Sequence, residues 1–102
     1  MSLPLLVLFT RRGCCLCEGL EEKLRALDPP PPLRCVDVDA DPVLRARYGL
    51  EVPVLAVGPA DAEPASLSPL PRPSPRLQGE ALGRWLEARG VRRGGTSTPF
   101  RT

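Results

Sequence analysis

The hydrophobic pattern of the chain changes period several times, which predicts strands that alternate with helices. Residues 5–9 are apolar without interruption, as in a strand that is covered on both faces of a sheet. In residues 18–27 the apolar side chains recur every three or four positions, which predicts a helix with one buried face. Alternation over residues 33–39 and a second apolar run over 52–57 predict two further strands.

A helix cap and a terminating glycine mark a second helix. Asp41 before Pro42 combines a capping side chain with a proline at the first helical position, so we expect a short helix from Pro42 to Tyr48. Gly49 follows it as a residue suited to the left-handed conformation that closes a helix. A last helix, with helical spacing of its apolar residues, is predicted over 79–89.

The remaining segments complete a single domain. Residues 58–75 are rich in proline, alanine and serine without a clear period, which predicts a long loop, and residues 76–78 are predicted as a short final strand. The resulting order β-α-β-α-β-β-α is typical of an α/β fold whose first two strands are parallel. We assign residues 1–90 to this domain and residues 91–102 to a basic, disordered tail.

Charge is segregated along the chain. The sequence carries 14 Lys and Arg against 12 Asp and Glu, for a net charge of +2, but all the acids precede residue 89, and the last 14 residues, from Arg89 onward, contain four arginines. Because glycine, serine and threonine surround the last arginines, we expect a solvated tail and no contact with nucleic acid. The first apolar run is far shorter than the roughly 20 residues of a membrane span and runs straight into a cysteine motif, which argues against a removable signal peptide. We therefore expect no membrane contact and a cytoplasmic location.

The cysteine motif is a Cys-x-x-Cys formed by Cys14 and Cys17, at the predicted junction of the first strand and the first helix. A helix N-terminus offers free N–H groups and a partial positive charge, which favour the thiolate, the nucleophile of disulfide exchange. We expect Cys14, at the exposed start of the helix, to attack a disulfide and Cys17, on the buried face, to resolve the mixed disulfide. Arg11 and Arg12 would add positive charge that favours the thiolate further.

Two other classes of function stay open from the residues alone. Four cysteines are enough for a structural zinc site, and soft thiolates also hold copper(I) or an iron–sulfur cluster. A domain of this class can also be a catalytically silent platform for protein binding. The chain has no histidine, which excludes Cys–His dyads and histidine-containing metal sites, and the cysteine spacing does not match a zinc finger or ribbon. We therefore expect redox chemistry and no bound metal.

Three further side chains have expected places. We expect Cys15 to be an exposed bystander of the motif. Cys35 lies in the middle of a predicted strand, and cysteine is often buried, so we expect it to pack passively in the core. Trp85 is in phase with the apolar residues of the last helix, which predicts a core position.

The chain resembles the glutaredoxin-like proteins, small relatives of glutaredoxin with the thioredoxin fold. The matching segments are Leu8-Phe9-Thr10-Arg11 before the cysteine motif, Glu51-Val52-Pro53-Val54-Leu55, and Gly79-Glu80 at the start of the last helix. The similarity extends over about residues 3–89. It implies a mixed four-stranded sheet flanked by helices, and a thiol–disulfide oxidoreductase linked to glutathione or to thioredoxin.

The resemblance also implies a substrate site beside Cys14 and Cys17. Its expected residues are Arg11, Arg12, Val52, Pro53, Gly79 and Glu80. Pro53 would follow a cis peptide bond, and the Val52 backbone would pair with the partner. The expected partner is a disulfide-containing protein or a glutathione mixed disulfide, with glutathione as co-substrate, no tightly bound cofactor and a monomeric protein. Two positions depart from glutaredoxins: the paired glycines are reduced to Gln78-Gly79-Glu80, and Cys15 stands where proline is usual.

Overall fold

The structure is a computed structural model that describes residues 4–59 and 61–91. Strands and helices alternate along these residues. In chain order the elements are β1 (Pro4–Thr10), α1 (Cys15–Arg25), β2 (Leu33–Asp37), α2 (Pro42–Tyr48), β3 (Val54–Pro59) and α3 (Gly79–Glu87). Short 3-10 turns cover Val38–Ala40 and Pro64–Ser66. The predicted order is confirmed up to the third strand and again at the last helix.

The central strand of the sheet is β1, which explains why its sequence is apolar without interruption. The three strands lie in the order β2-β1-β3, with β2 parallel and β3 antiparallel to β1. Leu6 and Leu8 point to one face of the sheet and Val7 and Phe9 to the other, and all four are buried. The mixed α/β architecture is compatible with a thioredoxin-like fold.

The predicted strand over residues 76–78 is wrong, and within the described residues the sheet has three strands. The chain instead touches the free edge of β3 earlier, where the Leu70 N–H donates to the Leu55 carbonyl at 2.7 Å and Pro69 forms an isolated bridge with Ala56. Prolines occupy every second position from 69 to 75, and proline has no N–H to donate. The residues between these prolines keep their N–H groups, but no ladder with β3 continues past Leu70 in the described chain. The Leu77 N–H donates instead to the Ser74 carbonyl at 2.9 Å, so a turn stands where the fourth strand was predicted.

The core is divided between the two faces of the sheet. On one face α1 and α3 pack over β1, and on the other α2 packs with the loop that follows β3. The buried residues of the first face are Leu6, Leu8, Leu24, Leu27, Leu55, Leu82, Leu86 and Val91. Those of the second are Val7, Phe9, Val38, Leu44, Tyr48, Ala56 and Leu67. Both faces of β1 are thus covered, as its sequence predicted.

Several local predictions need correction. Gly49 closes α2 in the right-handed conformation, with φ −56°, and not in the left-handed one. Trp85 is half-buried at the rim of the core, and the Arg89 guanidinium carbon lies 3.9 Å from the centre of its ring. Val91, the first residue of the predicted tail, is buried with α3, and the rest of that tail, residues 92–102, lies outside the described residues. No helix of the described chain is long and apolar enough to cross a membrane.

Candidate functional site

A tight turn connects the end of β1 to the cysteine motif. The turn is closed by a hydrogen bond from the Cys14 N–H to the Arg11 carbonyl at 3.2 Å. Gly13 has a φ of +79°, a conformation that a residue with a side chain rarely adopts, so glycine is required there. The turn places Cys14 directly before the first residue of α1, as the N-cap.

Cys14 and Cys17 form a disulfide, with their Cα atoms 5.2 Å apart. Cys14 is half-buried, whereas Cys17 is 1% exposed and faces the core. The Cys14 Sγ also accepts a hydrogen bond from the Cys17 N–H at 3.1 Å, which is the position of a side chain that caps a helix. In the reduced protein this N–H and the helix dipole would stabilise negative charge on the Cys14 sulfur.

The Arg11 guanidinium makes contacts within the protein that its sequence position did not predict. Its Nε bonds the Asp39 carboxylate at 2.9 Å, and its Nη1 donates to the Gly49 carbonyl at 3.0 Å. The guanidinium therefore ties the turn before Cys14 to the chain after β2 and to the loop that leads to Pro53. Arg12 is exposed, so it is a better candidate than Arg11 for contact with an anionic partner.

Pro53 lies beside the cysteine turn because of the register of the sheet. Val54 pairs with Phe9, so Pro53 is level with Thr10, the last residue of β1. The Val52–Pro53 peptide bond is cis, and Pro53 is half-buried. The Val52 N–H already donates to the Tyr48 carbonyl at 3.1 Å, which leaves the Val52 carbonyl as the backbone group that a partner could use.

The structure does not bring Gly79 and Glu80 to the disulfide. Gly79 opens α3 with a φ of +59° and lines a shallow cavity with Gln78, with Lys23 near the far end of α1, and with Leu27 just beyond that helix. At a rise of about 1.5 Å per residue, Lys23 is roughly 14 Å from Cys14 along the helix. Gly79 and Glu80 are both exposed, and they lie at the end of α1 that is remote from the disulfide.

Sequence reasoning missed a groove that begins beside the disulfide, with a volume of about 200 Å³. One wall is the exposed face of α1 that carries Cys15, Leu16 and Gly19, and the other is the segment Arg72 to Pro75, with Pro53 also in contact. The sequence assigned 58–75 to a featureless loop. The proline at every second position was the signal that could have identified a stiff, extended wall.

The two remaining cysteines are free thiols, and neither is buried. Cys15 is exposed, as expected. The prediction for Cys35 is wrong, because this residue is exposed on β2, an edge strand, with the Arg25 Nη2 at 3.9 Å from its sulfur. Cys35 faces the end of α1, where Arg25 and Glu21 form an ion pair instead of an apolar surface. Partial burial raises the pKa of the Cys35 thiol, the Glu21 charge raises it further, and Arg25 partly offsets this effect.

A metal site has no support in the described part of the chain, where no three Cys, Asp or Glu side chains come together around a possible ion. Cys35 interacts with Arg25 and not with the cysteines of the motif. The four thiolates that a structural zinc site would use are therefore not gathered in one place.

Comparison with known proteins agrees with this geometry. The model of the glutaredoxin-like domain family (DUF836) matches residues 5–87. The chain belongs to this family. Among solved structures, it is similar to the X-ray structure of the structural genomics target protein XcR50 from X. campestris, with 32% sequence identity and a TM-score of 0.51 over 81% of this chain and 96% of the other. No curated protein matches the chain. As a glutaredoxin-like domain with a Cys14–Cys17 pair, the protein fits a thiol–disulfide redox module.

Proposed function

We propose that the protein is a thiol–disulfide oxidoreductase whose reacting groups are Cys14 and Cys17. The observation that carries the proposal is the disulfide across the start of α1, with the half-buried Cys14 sulfur capping the helix and the Cys17 sulfur buried behind it. The outer sulfur is the one that a partner can reach. The inner sulfur is bonded to it and is shielded from other reactants.

The exchange proceeds in two steps. The Cys14 thiolate attacks one sulfur of a substrate disulfide, forms a mixed disulfide and expels the other substrate sulfur as a thiolate. Cys17 then loses its proton to solvent and attacks the Cys14 sulfur, which releases the second substrate thiolate and forms the Cys14–Cys17 disulfide. Two electrons pass to the substrate, and two equivalents of an external thiol, for which we propose glutathione, restore the reduced protein.

The partner would dock beside Pro53. The Val52 carbonyl is available to a partner backbone, and Arg12 supplies an exposed positive charge next to the motif. We propose that the protein works as a monomer without a tightly bound cofactor, on a disulfide-containing protein or a glutathione mixed disulfide. The free thiols Cys15 and Cys35 are both exposed, which fits a reducing compartment such as the cytoplasm.

Serine variants test the proposal. Cys14→Ser should abolish reduction of a disulfide substrate, and Cys17→Ser should accumulate a mixed disulfide at Cys14 that mass spectrometry detects. Cys35→Ser, which removes an exposed thiol on β2, is the matched control and should react like the natural protein. If Cys14→Ser retains the natural rate of reduction, the proposed function is wrong.

A further inference from the structure

The groove beside the disulfide is held open by two hydrogen bonds across it. Lys23 of α1 donates from its Nζ to the Pro75 carbonyl at 2.5 Å. At the other end Arg72 donates to the Glu51 carbonyl, in the loop that leads to Pro53. The proline-rich wall is therefore anchored both to the helix and to the loop that carries the cis peptide bond.

The charge in the groove has one sign. Lys23 and Arg72 are the charged residues among those that line it, and both are cations. Each of them donates to a backbone carbonyl, which orients the cation without cancelling its charge. The groove consequently favours an anionic group near its far end, where Lys23 lies.

Near the disulfide, the helix wall of the groove is apolar and open. The Leu16 side chain is 71% exposed, although it lies within the cysteine motif. A Cβ atom placed on Gly19 would have no neighbour within 4 Å, so the helix surface there has room for a side chain from a partner. Leu16 lines the groove together with Leu20, Pro53, Pro73 and Pro75, and a contiguous apolar lining of this kind is typical of a surface that a partner covers.

The length of the groove fixes the size of its occupant. The nine residue-to-residue steps from Cys14 to Lys23 span roughly 14 Å of helix, which corresponds to about four residues of extended chain. Glutathione has one residue on each side of its cysteine and is too short to reach from the Cys14 sulfur to Lys23. A peptide segment of a protein can reach.

We propose that this groove binds an extended segment of a disulfide-bonded protein, with an apolar side chain next to the reacting cysteine and an acidic side chain about four residues further along. This inference rests on the proposed function, because it names the substrate class of the same site. The apolar side chain would contact Leu16 above Gly19, and the acidic side chain would pair with Lys23.

Peptides joined to thionitrobenzoate through a disulfide provide the test. Attack of the Cys14 thiolate of the pre-reduced protein on the peptide sulfur expels the coloured thionitrobenzoate anion, so the step needs no other reductant. One peptide carries Leu after its cysteine and Glu four residues on, and a second carries Lys in place of that Glu. The thionitrobenzoate mixed disulfide of mercaptoethanol is the small reference substrate.

We expect the Glu peptide to react about three to ten times faster than the Lys peptide at low ionic strength, and this preference to fade in 0.5 M salt. Lys23→Glu should reverse the preference and Lys23→Met should remove it. Arg45→Glu makes the same change in net charge on exposed α2, away from the groove, and should keep it. An unchanged preference in Lys23→Glu would overturn the proposal.

A steric variant gives a second, independent readout. Gly19→Met should fold, because nothing lies within 4 Å of the new Cβ atom, and should fill the groove. We expect it to lower the ratio of peptide rate to reference rate by about ten-fold. Glu22→Met, on the exposed side of α1, is the control and should keep the natural ratio. An unchanged ratio in Gly19→Met rules out the groove, whereas a failure of the natural protein to react faster than Cys14→Ser with any of the substrates rules out the proposed function.

Discussion

Replacing Arg11 separates two roles that this residue could have. Arg11→Met keeps the aliphatic stem but removes the guanidinium from the Asp39 carboxylate and from the Gly49 carbonyl. The ion pair is more than a third exposed on both sides, so its loss costs about 0.2–1 kcal/mol. The bond to the carbonyl is partly buried and has a charged donor, which adds about 1.5 kcal/mol. We expect the free energy of unfolding to fall by about 2 kcal/mol.

The assay is denaturant unfolding of a double-mutant cycle. Asp39→Asn keeps the shape of its side chain and should cost less than Arg11→Met, because the carbonyl bond remains. The coupling between the two changes should be about 0.2–1 kcal/mol and should shrink in high salt. The exposed Arg12→Met is the matched control and should leave stability within about 0.5 kcal/mol.

The opposite result would identify Arg11 as a substrate-binding residue. In that case Arg11→Met would raise the KM for a glutathione mixed disulfide and leave the free energy of unfolding unchanged. A coupling energy of zero between the Arg11 and Asp39 substitutions would likewise contradict the ion pair seen between these two side chains. The two outcomes are distinct because losing contacts within the protein lowers the free energy of unfolding, whereas losing a contact made only to the ligand raises the KM.

Three further predictions concern the core, the end of α2 and the free thiol of Cys35. Leu24→Ala, at a fully buried site, should lower the free energy of unfolding by about 2–5 kcal/mol in denaturant titrations, and a smaller loss would mean that the core relaxes around the cavity. Gly49→Ala should destabilise by more than about 1 kcal/mol, because its Cβ atom would lie 2.5 Å from the Arg45 carbonyl oxygen; a neutral effect in thermal melts would contradict this close approach. Because the pKa of Cys35 is raised, its alkylation rate should still increase above pH 9. Arg25→Met should shift that profile to higher pH, and a shift to lower pH would refute the assigned contact.

The sequence was sufficient where one physical signal dominates. The uninterrupted apolar run identified β1 as the central strand, and Asp41 with Pro42 marked the start of α2 at the observed residue. The junction of strand and helix placed Cys14 at a helix cap with Cys17 behind it. Each of these features depends on residues that are close together in the chain, and hydrophobic patterns and helix caps are signals of that short range.

The predictions that failed depend on which residues meet across the fold. Cys35 has the sequence surroundings of a core residue, but it lies on an edge strand opposite the charged Arg25 and Glu21. Whether a residue of β2 is buried depends on the order of the strands in the sheet. The alternation of apolar and polar residues in β2 carries no information about that order. The predicted strand over residues 76–78 failed for a related reason: the chain turns there, with the Leu77 N–H bonded to the Ser74 carbonyl, and its contact with β3 is made earlier, at Leu70.

The groove combines features that depend on neighbours in the sequence with features that depend on contacts across the fold. Its apolar helix wall begins in the cysteine motif, which the sequence identified. Its two cations, Lys23 at one end and Arg72 at the other, are distant in sequence and meet in the groove because each bonds to the carbonyl of another segment. Alternate prolines make the second wall stiff, so the wall can be positioned by a few contacts at its ends. Specificity beside the disulfide would then depend on a segment that looks featureless in the sequence, while the chemistry depends on the motif. Substitutions in residues 72–75 should accordingly alter which partner reacts and leave the reduction potential of the Cys14–Cys17 pair unchanged.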